Sequence, residues 1–304
     1  MKLFQIASLC CSLLLLGGCV SNQTSSNEQW LNPPMAKPER ANVQYEIQIA
    51  RLSQLLSRSD LDDDLRAKMY FERGSYYDYL GLRNLAQLDF NYSLQLNPAQ
   101  PAVFNSLGLF YTQIGDFDSA YEAFESTLEL DPKVTAAIRN RAIALYYGNR
   151  IPLALEGMQT FYQQDPSDPY RVLWLYIIEQ QQSPEKAFNN LQLRYQARNV
   201  NNDDWAWVLV ALMLNDIPEE HAFQYAINTI PDSSNTVLAE RLTEIYFYLA
   251  KRQQIAGDYI GAFSLYKLSL AQGVYDFIEN RYAHIETNRI INAVQAMNES
   301  QVEQ

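Results

Sequence analysis

The side chains that could perform chemistry are few and lie far apart in the sequence. The chain has two histidines, His221 and His284, and the acids near them, Glu219, Glu220 and Glu286, have the spacing of ordinary helix-surface residues. A metal site needs three or four ligands whose spacing brings them together. We therefore predict no metal site, and nothing in the sequence indicates a cofactor.

Catalytic motifs are also absent from the sequence. It contains no glycine-rich phosphate loop, no Gly-x-Ser-x-Gly elbow and no His-Glu-x-x-His motif. The carboxylates of Asp62 to Asp64 follow Ser59 and Asp60, so we interpret them as acids at the positive end of a helix rather than as an acid–base pair. We predict a protein without catalytic residues.

Cys19 is the one residue for which the sequence predicts a covalent modification. The apolar run before it is too short to span a bilayer, ends in small residues and is typical of a secretory signal, residues 1–18. Leu16-Gly17-Gly18-Cys19 matches the bacterial lipobox, in which the thiol is diacylated and becomes the new N-terminus. A cleaved signal followed by a chance cysteine is the alternative. By resemblance to bacterial lipoproteins, Val20 in place of Asp indicates the outer membrane, with the body in the periplasm.

Composition limits the remaining possibilities. Cys10 and Cys11 would leave with the signal, so a mature chain lipidated at Cys19 can form no disulfide. The net charge of −12, more negative still without Lys2, argues against nucleic-acid binding, which depends on basic surface. The hydrophobic content of 48% supports a sizeable core.

The composition of residues 19–41 predicts a flexible tether. Ser, Asn, Gln, Thr and Pro dominate this segment, and such a composition cannot bury a core. A chain of this length has a root-mean-square reach of roughly 25 Å. Trp30 stands alone in it, as a solvated linker residue or as a side chain that inserts into the lipid interface.

The first predicted helix spans Val43 to Leu56, where apolar residues have approximately helical spacing. We expect it to cap the apolar end of the elements that follow. A subunit interface is a second role compatible with the first.

The main element is a motif repeated at an interval of 34 residues. It resembles the tetratricopeptide repeat, a helix with a small residue and an aromatic, a tight turn, and a second helix that carries Ala and Phe. The repeat-defining residues are Gly74, Tyr77, Gly81, Ala86, Phe90 and Pro98, which recur as Gly108, Tyr111, Gly115, Ala120, Phe124 and Pro132.

The residue types of the motif have physical reasons. Glycine inside a helix costs about 1 kcal/mol relative to alanine, so Gly74 and Gly108 indicate close helix packing. We expect Ala86 and Ala120 to provide the matching small surface, with the phenylalanines in the next layer. Gly81 and Gly115 should end the first helices, and Pro98 and Pro132 the second.

Two repeats cannot fold alone, because each leaves an apolar face for a neighbour. A third repeat at 135–168 keeps Ala142, Ala154, Met158 and Pro166, with a turn at 148–150 that is shifted by one position. A fourth, at 243–276, carries Ala250, Gly257-Asp258-Tyr259, Ala262 and Tyr266. The first two repeats span 67–100 and 101–134.

Between Pro166 and the fourth repeat the sequence predicts irregular helix pairs. Tyr170–Gln180 is apolar on one face, Ser183-Pro184-Glu185 has the signals of a helix start, Asn202–Asp204 precede Trp205–Leu214, and Ile217–Glu220 open another helix. The predicted fold is all-α, a tetratricopeptide-type helix-turn-helix solenoid with further helix pairs. A single body, 42–298, is followed by a frayed tail, 299–304.

The first helix of each pair lines the concave face in tetratricopeptide arrays, and the resemblance predicts a mixed polar and aromatic groove for an amphipathic or extended segment. The carboxylate-clamp mode is not expected, because Phe71 and Ser75 stand where clamps carry Lys and Asn. The predicted partner-binding positions are Lys68, Phe71, Ser75, Asp78, Tyr79, Asn105, Leu109, Thr112, Gln113, Arg139, Ile143, Tyr146 and Tyr147.

The order of lipobox, tether, leading helix, two regular repeats, irregular middle and late repeat resembles the NlpI family of outer-membrane lipoproteins. Segments 120–124, 128–132 and 144–148 carry much of the likeness. The resemblance implies a homodimeric adaptor that binds a periplasmic C-terminal processing protease and presents peptidoglycan endopeptidases to it, and that scaffolds other wall enzymes. It would thereby regulate wall growth and division.

Two other classes of function are weighed against this one. A tetratricopeptide lipoprotein could instead chaperone the assembly of an outer-membrane machine such as a pilus secretin. A hydrolase is disfavoured, because the sequence offers no nucleophile with a base.

Overall fold

The computed structural model describes residues 32–38, 43–199 and 204–302. The predicted signal, Cys19, Trp30, Asn202 and Asp203 lie outside these residues. Met1–Pro34 forms a separate unit in which 32–34 lack regular secondary structure, and Met35–Gln304 forms the compact unit treated below. The described residues are mainly helical and contain no strand, so the predicted all-α class is confirmed.

The compact unit consists of helices joined by short turns. The described residues form α1 Val43–Leu56, α2 Asp63–Tyr79, α3 Arg83–Leu96, α4 Pro101–Ile114, α5 Phe117–Leu130, α6 Thr135–Tyr147, α7 Ile151–Gln164, α8 Pro169–Glu179, α9 Pro184–Ala197, α10 Trp207–Met213, α11 Glu219–Asn228, α12 Asn235–Ile255, α13 Tyr259–Ala271 and α14 Ile278–Val302, with one 3₁₀ turn at Pro231–Ser233.

Consecutive helices pack as antiparallel pairs. The pairs α2/α3, α4/α5, α6/α7 and α12/α13 correspond to the four predicted repeats, and α1 packs on α2 at the start of the stack. Acidic side chains start several of these helices: the carboxylates of Asp62, Asp116 and Asp258 each accept a hydrogen bond from the backbone N–H three residues later.

The glycines of the first two repeats allow an aromatic ring to lie against bare backbone. A Cβ atom at Gly74 would lie 2.8 Å from Phe90 Cε1, and one at Gly108 would lie 2.5 Å from Phe124 Cε1. Both phenylalanines are buried. The expectation that the rings fill the next layer is therefore wrong, because each ring fills the space left by the glycine itself.

The turn inside each of the first three pairs contains a left-handed residue at the 34-residue interval. Gly81 (φ 73°), Gly115 (φ 82°) and Asn149 (φ 58°) occupy this position. Gly148 has an ordinary φ of −77°. The predicted shift of the third turn is therefore wrong: the position is kept and filled by asparagine, the non-glycine residue that tolerates this conformation best.

The middle of the chain is more deeply buried than its pattern predicts. In α8, predicted to be apolar on one face, every residue from Val172 to Ile178 is buried. A helix that is apolar on all sides lies in the core of a protein, and α8 packs against α7, α9 and α10. The described part of α10 begins at Trp207, two residues later than predicted.

Both ends of the described body extend beyond the predicted limits. Residues 35–37, assigned to the tether, lie on the body: the Ala36 N–H donates to Gln272 Oε1 (3.1 Å), and Lys37 N–H donates to Asn235 Oδ1 (2.8 Å). A return bond runs from Asn235 Nδ2 to the Lys37 carbonyl (3.0 Å). At the other end, α14 continues to Val302 rather than fraying from residue 299.

No helix in the described ranges combines the length and the apolar character that crossing a membrane requires.

Candidate functional site

An open groove of about 440 Å³ lies between the first helices of the first two repeats. It is lined by Phe71, Ser75, Asp78 and Tyr79 of α2 and by Asn105 of α4. These five residues are among the thirteen positions predicted to bind a partner. Its other lining residues are Phe90, Pro101, Ala102, Ser106, Asp131 and Val134.

Ordinary helix geometry positions the groove side chains. Phe71, Ser75, Asp78 and Tyr79 recur at intervals of three and four residues and therefore share one face of α2. Phe71 packs on Phe90 with ring centroids 5.8 Å apart, so the floor is apolar. Tyr79 is 43% exposed and offers an aromatic face at the edge.

Another part of the predicted concave face, at Tyr146 and Tyr147, is covered by the C-terminal helix, α14. Arg281 of α14 binds both carboxylate oxygens of Asp78 at 3.1 and 2.6 Å. Tyr282 lies 5.3 Å from Tyr147, and 5.3 Å from Trp174, between ring centroids. A helix of the same chain therefore fills this part of the face, where a partner would otherwise bind.

A buried ion pair fixes α14 to α12. Lys251 and Glu286 form a salt bridge in which their side chains are 2% and 0% exposed. The Lys251 ammonium also donates to the Tyr146 hydroxyl (3.2 Å), and Glu286 accepts a second hydrogen bond from Gln254 Nε2 (2.9 Å). Burial alone would raise the pKa of Glu286, but the Lys251 and Arg289 charges outweigh it and lower that pKa.

The structure therefore does not bring all thirteen predicted positions together. Ile143, Tyr146 and Tyr147 are buried, the last two beneath α14, and Thr112 is buried with its hydroxyl bonded to the Gly108 carbonyl (2.7 Å). For these positions the predicted role as accessible binding residues is wrong, because α14 and internal packing cover them.

Four further predicted positions also lie outside the groove lining. Lys68 is exposed on α2, and Leu109 packs against the core cluster around Phe124. The amide atoms of Gln113 are buried with no hydrogen-bond partner among the described residues. Arg139 donates to Asn140 Oδ1 (3.1 Å) rather than reaching the groove.

A hydrogen-bond chain connects the groove to the third repeat. Asn140 Nδ2 donates to Asn105 Oδ1 at 3.1 Å, while Asn140 also accepts from Arg139. Asn140 is buried, so it needs these partners. Asn105 is consequently held in one orientation, with its amide group at the groove wall.

The groove can bind but shows no arrangement for catalysis. It offers three aromatic rings, two serine hydroxyls, an amide and the carboxylates of Asp78 and Asp131. Asp78 is neutralised by Arg281, and Asp131 accepts a hydrogen bond from the Lys133 N–H (3.0 Å). Within the described ranges, no three His, Cys, Asp or Glu side chains gather as metal ligands would.

A second cluster of buried polar groups lies between α8 and α12. Glu244 accepts hydrogen bonds from Tyr170 Oη (2.7 Å) and Trp205 Nε1 (2.6 Å), and Glu279 accepts one from Tyr248 Oη (3.0 Å). Burial, followed by repulsion from Glu279, raises the pKa of Glu244 to about 8.

The principal residues that sequence reasoning missed are those of α14. Ile278, Tyr282, Ile285 and Arg289 recur at intervals of three and four residues after the last repeat, which is a helical pattern. An unpaired helix in that place is a candidate to cover an exposed face of the stack. Its position on the concave face follows from contacts distant in sequence.

Comparisons with known proteins point to one repeat family. The sequence profile of the tetratricopeptide repeat matches residues 101–134, the range predicted for the second repeat. Solved structures similar to this chain include YrrB, a tetratricopeptide protein described as having an unusual peptide-binding site, with a TM-score of 0.43, 13% identity, and coverage of 71% of this chain and 97% of that one.

Two further structures are similar over most of this chain. A tetratricopeptide repeat protein from Parabacteroides merdae has a TM-score of 0.49, 12% identity, and coverage of 81% of this chain and 99% of that one. The Cut9–Hcn1 hetero-tetramer of the APC/C gives a TM-score of 0.47, 17% identity, and coverage of 81% of this chain and 46% of the matched one.

Proposed function

We propose that this tetratricopeptide-repeat protein, whose repeats are those of a protein-interaction scaffold, is a non-enzymatic adaptor anchored by lipid to the outer membrane. Its body would lie in the periplasm and hold a peptidoglycan endopeptidase for degradation by a C-terminal processing protease. The adaptor would thereby regulate wall growth and division.

The groove between α2 and α4 is the observation that carries the proposal. Tetratricopeptide arrays bind segments of other proteins on this face, and here the groove is a part of it that α14 leaves open. An aromatic and apolar floor with polar walls suits a short amphipathic or extended segment of a client. The protease would bind another face, so that client and protease are held together.

The location rests on the N-terminal sequence. The lipobox ending at Cys19 supports lipid attachment, and Val20 supports the outer membrane. A homodimer is part of the same proposal, by resemblance to the NlpI family.

The first test fills the groove without removing any existing contact. Ala102 is exposed and lines the groove, so Ala102→Tyr places a ring in the space for the client. Ala197→Tyr makes the same change at the exposed end of α9, outside the groove lining, and is the matched control. Each variant is used in a pull-down from solubilised envelope and in degradation assays with purified protease and endopeptidase.

The proposal predicts faster endopeptidase degradation in the presence of the protein. Ala102→Tyr should lose the endopeptidase and the acceleration while retaining the protease, and Ala197→Tyr should retain both. Degradation that is equally fast without the protein would refute the adaptor role. Recovery of secretin or pilus components instead would support the assembly chaperone.

A further inference from the structure

A second cavity, of about 290 Å³, lies where α14 crosses α6 and α12. Its volume is at the lower end of the range for ligand pockets, so it suits a small molecule or one terminal residue of a chain. The cavity does not share a lining residue with the α2/α4 groove. An inference about it therefore does not depend on the proposed function.

The cavity has an excess of positive charge. Lys251 and Arg289 both line it. Among the described residues, Glu286 is the carboxylate bonded to Lys251, and it also accepts a hydrogen bond from Gln254. Arg289 forms no ion pair with any described carboxylate, and its guanidinium carbon lies 5.8 Å from the Tyr146 ring centroid and 5.5 Å from that of Tyr147. One cationic charge is thus left without a counter-charge on the described chain.

Lys251 is the buried polar group that marks the cavity as a binding site. This ammonium is 2% exposed, and a cation is rarely buried unless it is paired and hydrogen-bonded. An ammonium has three N–H donors, of which Glu286 and Tyr146 take two. The structure assigns no described partner to the third, and the residue lines the cavity.

Apolar side chains form the remaining walls. Ile177 and Ile290 are buried at the base, while Ile255 and Tyr259 are 41% and 39% exposed at the rim. A ligand that fits must therefore join an anionic group to an apolar one. Because one cation is uncompensated, a singly charged carboxylate matches the cavity better than a doubly charged phosphate.

We propose that this cavity binds a carboxylate attached to an apolar group, such as the C-terminal residue of a polypeptide. Arg289 and Lys251 bind the carboxylate, and the isoleucines and Tyr259 contact the apolar group. Gln181, exposed at the edge, is in a position to hydrogen-bond the preceding peptide unit. A small organic acid shares the recognised chemistry and is distinguished from a peptide in the test.

The test is calorimetric titration of the full-length protein in detergent with three probes. These are N-acetyl-Leu-Leu with a free carboxylate, the same dipeptide as its C-terminal amide, and 4-methylpentanoate. The free-carboxylate peptide should bind at least about tenfold more tightly than the amide, because bonds to charged groups are the stronger ones. Binding of 4-methylpentanoate as strong as that of the peptide would identify a small acid as the ligand.

Variants separate this site from non-specific binding. Arg289→Gln should weaken binding of the carboxylate peptide at least about tenfold. Its melting temperature is measured alongside, because the Arg289 charge also lowers the pKa of the buried Glu286. Ala293→Phe should abolish binding by filling the cavity. Arg150→Gln, at an exposed ion pair outside the cavity, is the matched control and should bind normally.

Three results would overturn the proposal. They are equal affinity for peptide and amide, unchanged affinity in Arg289→Gln, and absence of binding by all three probes.

Discussion

At the scale of single residues, Gly74 and Gly108 lower the helix propensity of their helices but allow close contact with an aromatic ring. Each glycine leaves room for the ring of a buried phenylalanine from the second helix of its own repeat. The contact explains why a residue unfavourable inside helices occupies the same place in both repeats. It also makes a substitution that would usually stabilise a helix destabilising here.

Replacement of Gly108 by alanine tests this contact. The new Cβ would lie 2.5 Å from Phe124, so we expect a loss of about 1–3 kcal/mol in the free energy of unfolding despite the better helix propensity. Gly157→Ala is the control, since its Cβ would meet only Ala142 Cβ at 3.3 Å at close range. Guanidinium denaturation measures both, and a Gly108→Ala protein at least as stable as Gly157→Ala would contradict the packing.

The repeat residues could be predicted because they recur at a fixed interval. The interval of 34 located the two helix glycines, the first two turns and the helix ends from the sequence. It did not reveal that Asn149 occupies the left-handed position of the third turn. The neighbouring Gly148 suggested instead that the turn was shifted by one residue. Burial of Tyr146 and Tyr147 could not be predicted from position either, since α14 covers them from more than a hundred residues away.

At the scale of elements, α8 and α12 are buried helices that share polar contacts. Glu244 of α12 bonds to Tyr170 of α8 and to Trp205 before α10. A fully buried carboxyl is costly when ionised, which accounts for the raised pKa. The helices could be predicted from sequence, but this cluster could not, because Tyr170 and Glu244 are 74 residues apart.

The raised pKa of Glu244 predicts that the free energy of unfolding decreases as pH rises. Its pKa is about 8 in the folded protein and ordinarily 4.5, so between these values the folded state holds a proton that the unfolded state has lost. The stabilisation is complete below pH 4.5 and disappears as pH rises through about 8. Each pKa unit corresponds to about 1.4 kcal/mol.

Thermal unfolding measured from pH 5 to pH 8 checks the prediction. Glu244→Gln cannot ionise, so it should flatten the decline in melting temperature, although Glu279, whose pKa burial also raises, will retain part of it. Glu122→Gln, on the exposed surface of α5, should keep the wild-type profile. A variant at Glu244 with the full wild-type decline would exclude this residue as its source.

For the whole molecule, residues 35–37 lie against the body although their composition is that of a linker. Asn235 holds Lys37 through two backbone hydrogen bonds, and Gln272 accepts from Ala36. The sequence predicted a tether to residue 41, because polar composition does not reveal backbone bonds to a distant helix.

Asn235→Ala should release this segment. Loss of both bonds to Lys37 should increase amide exchange in residues 35–37, measured by hydrogen–deuterium exchange and mass spectrometry, while global stability falls by no more than about 1 kcal/mol. Asn84→Ala, at an exposed position on α3, is the control and should exchange normally. Unchanged exchange in Asn235→Ala would show that other contacts hold the segment.

The path of α14 also has a mechanical consequence. A stack of helix pairs behaves as an elastic spring, since each pair contacts only its neighbours and small rotations accumulate along it. Here α14 joins α2, through Arg281 and Asp78, to α12, through Glu286 and Lys251. It braces the early helix pairs against the late ones, so stretching or twisting the stack would require one of these ion pairs to break. The open groove beside Asp78 is thereby held at a preset width for any segment that binds there.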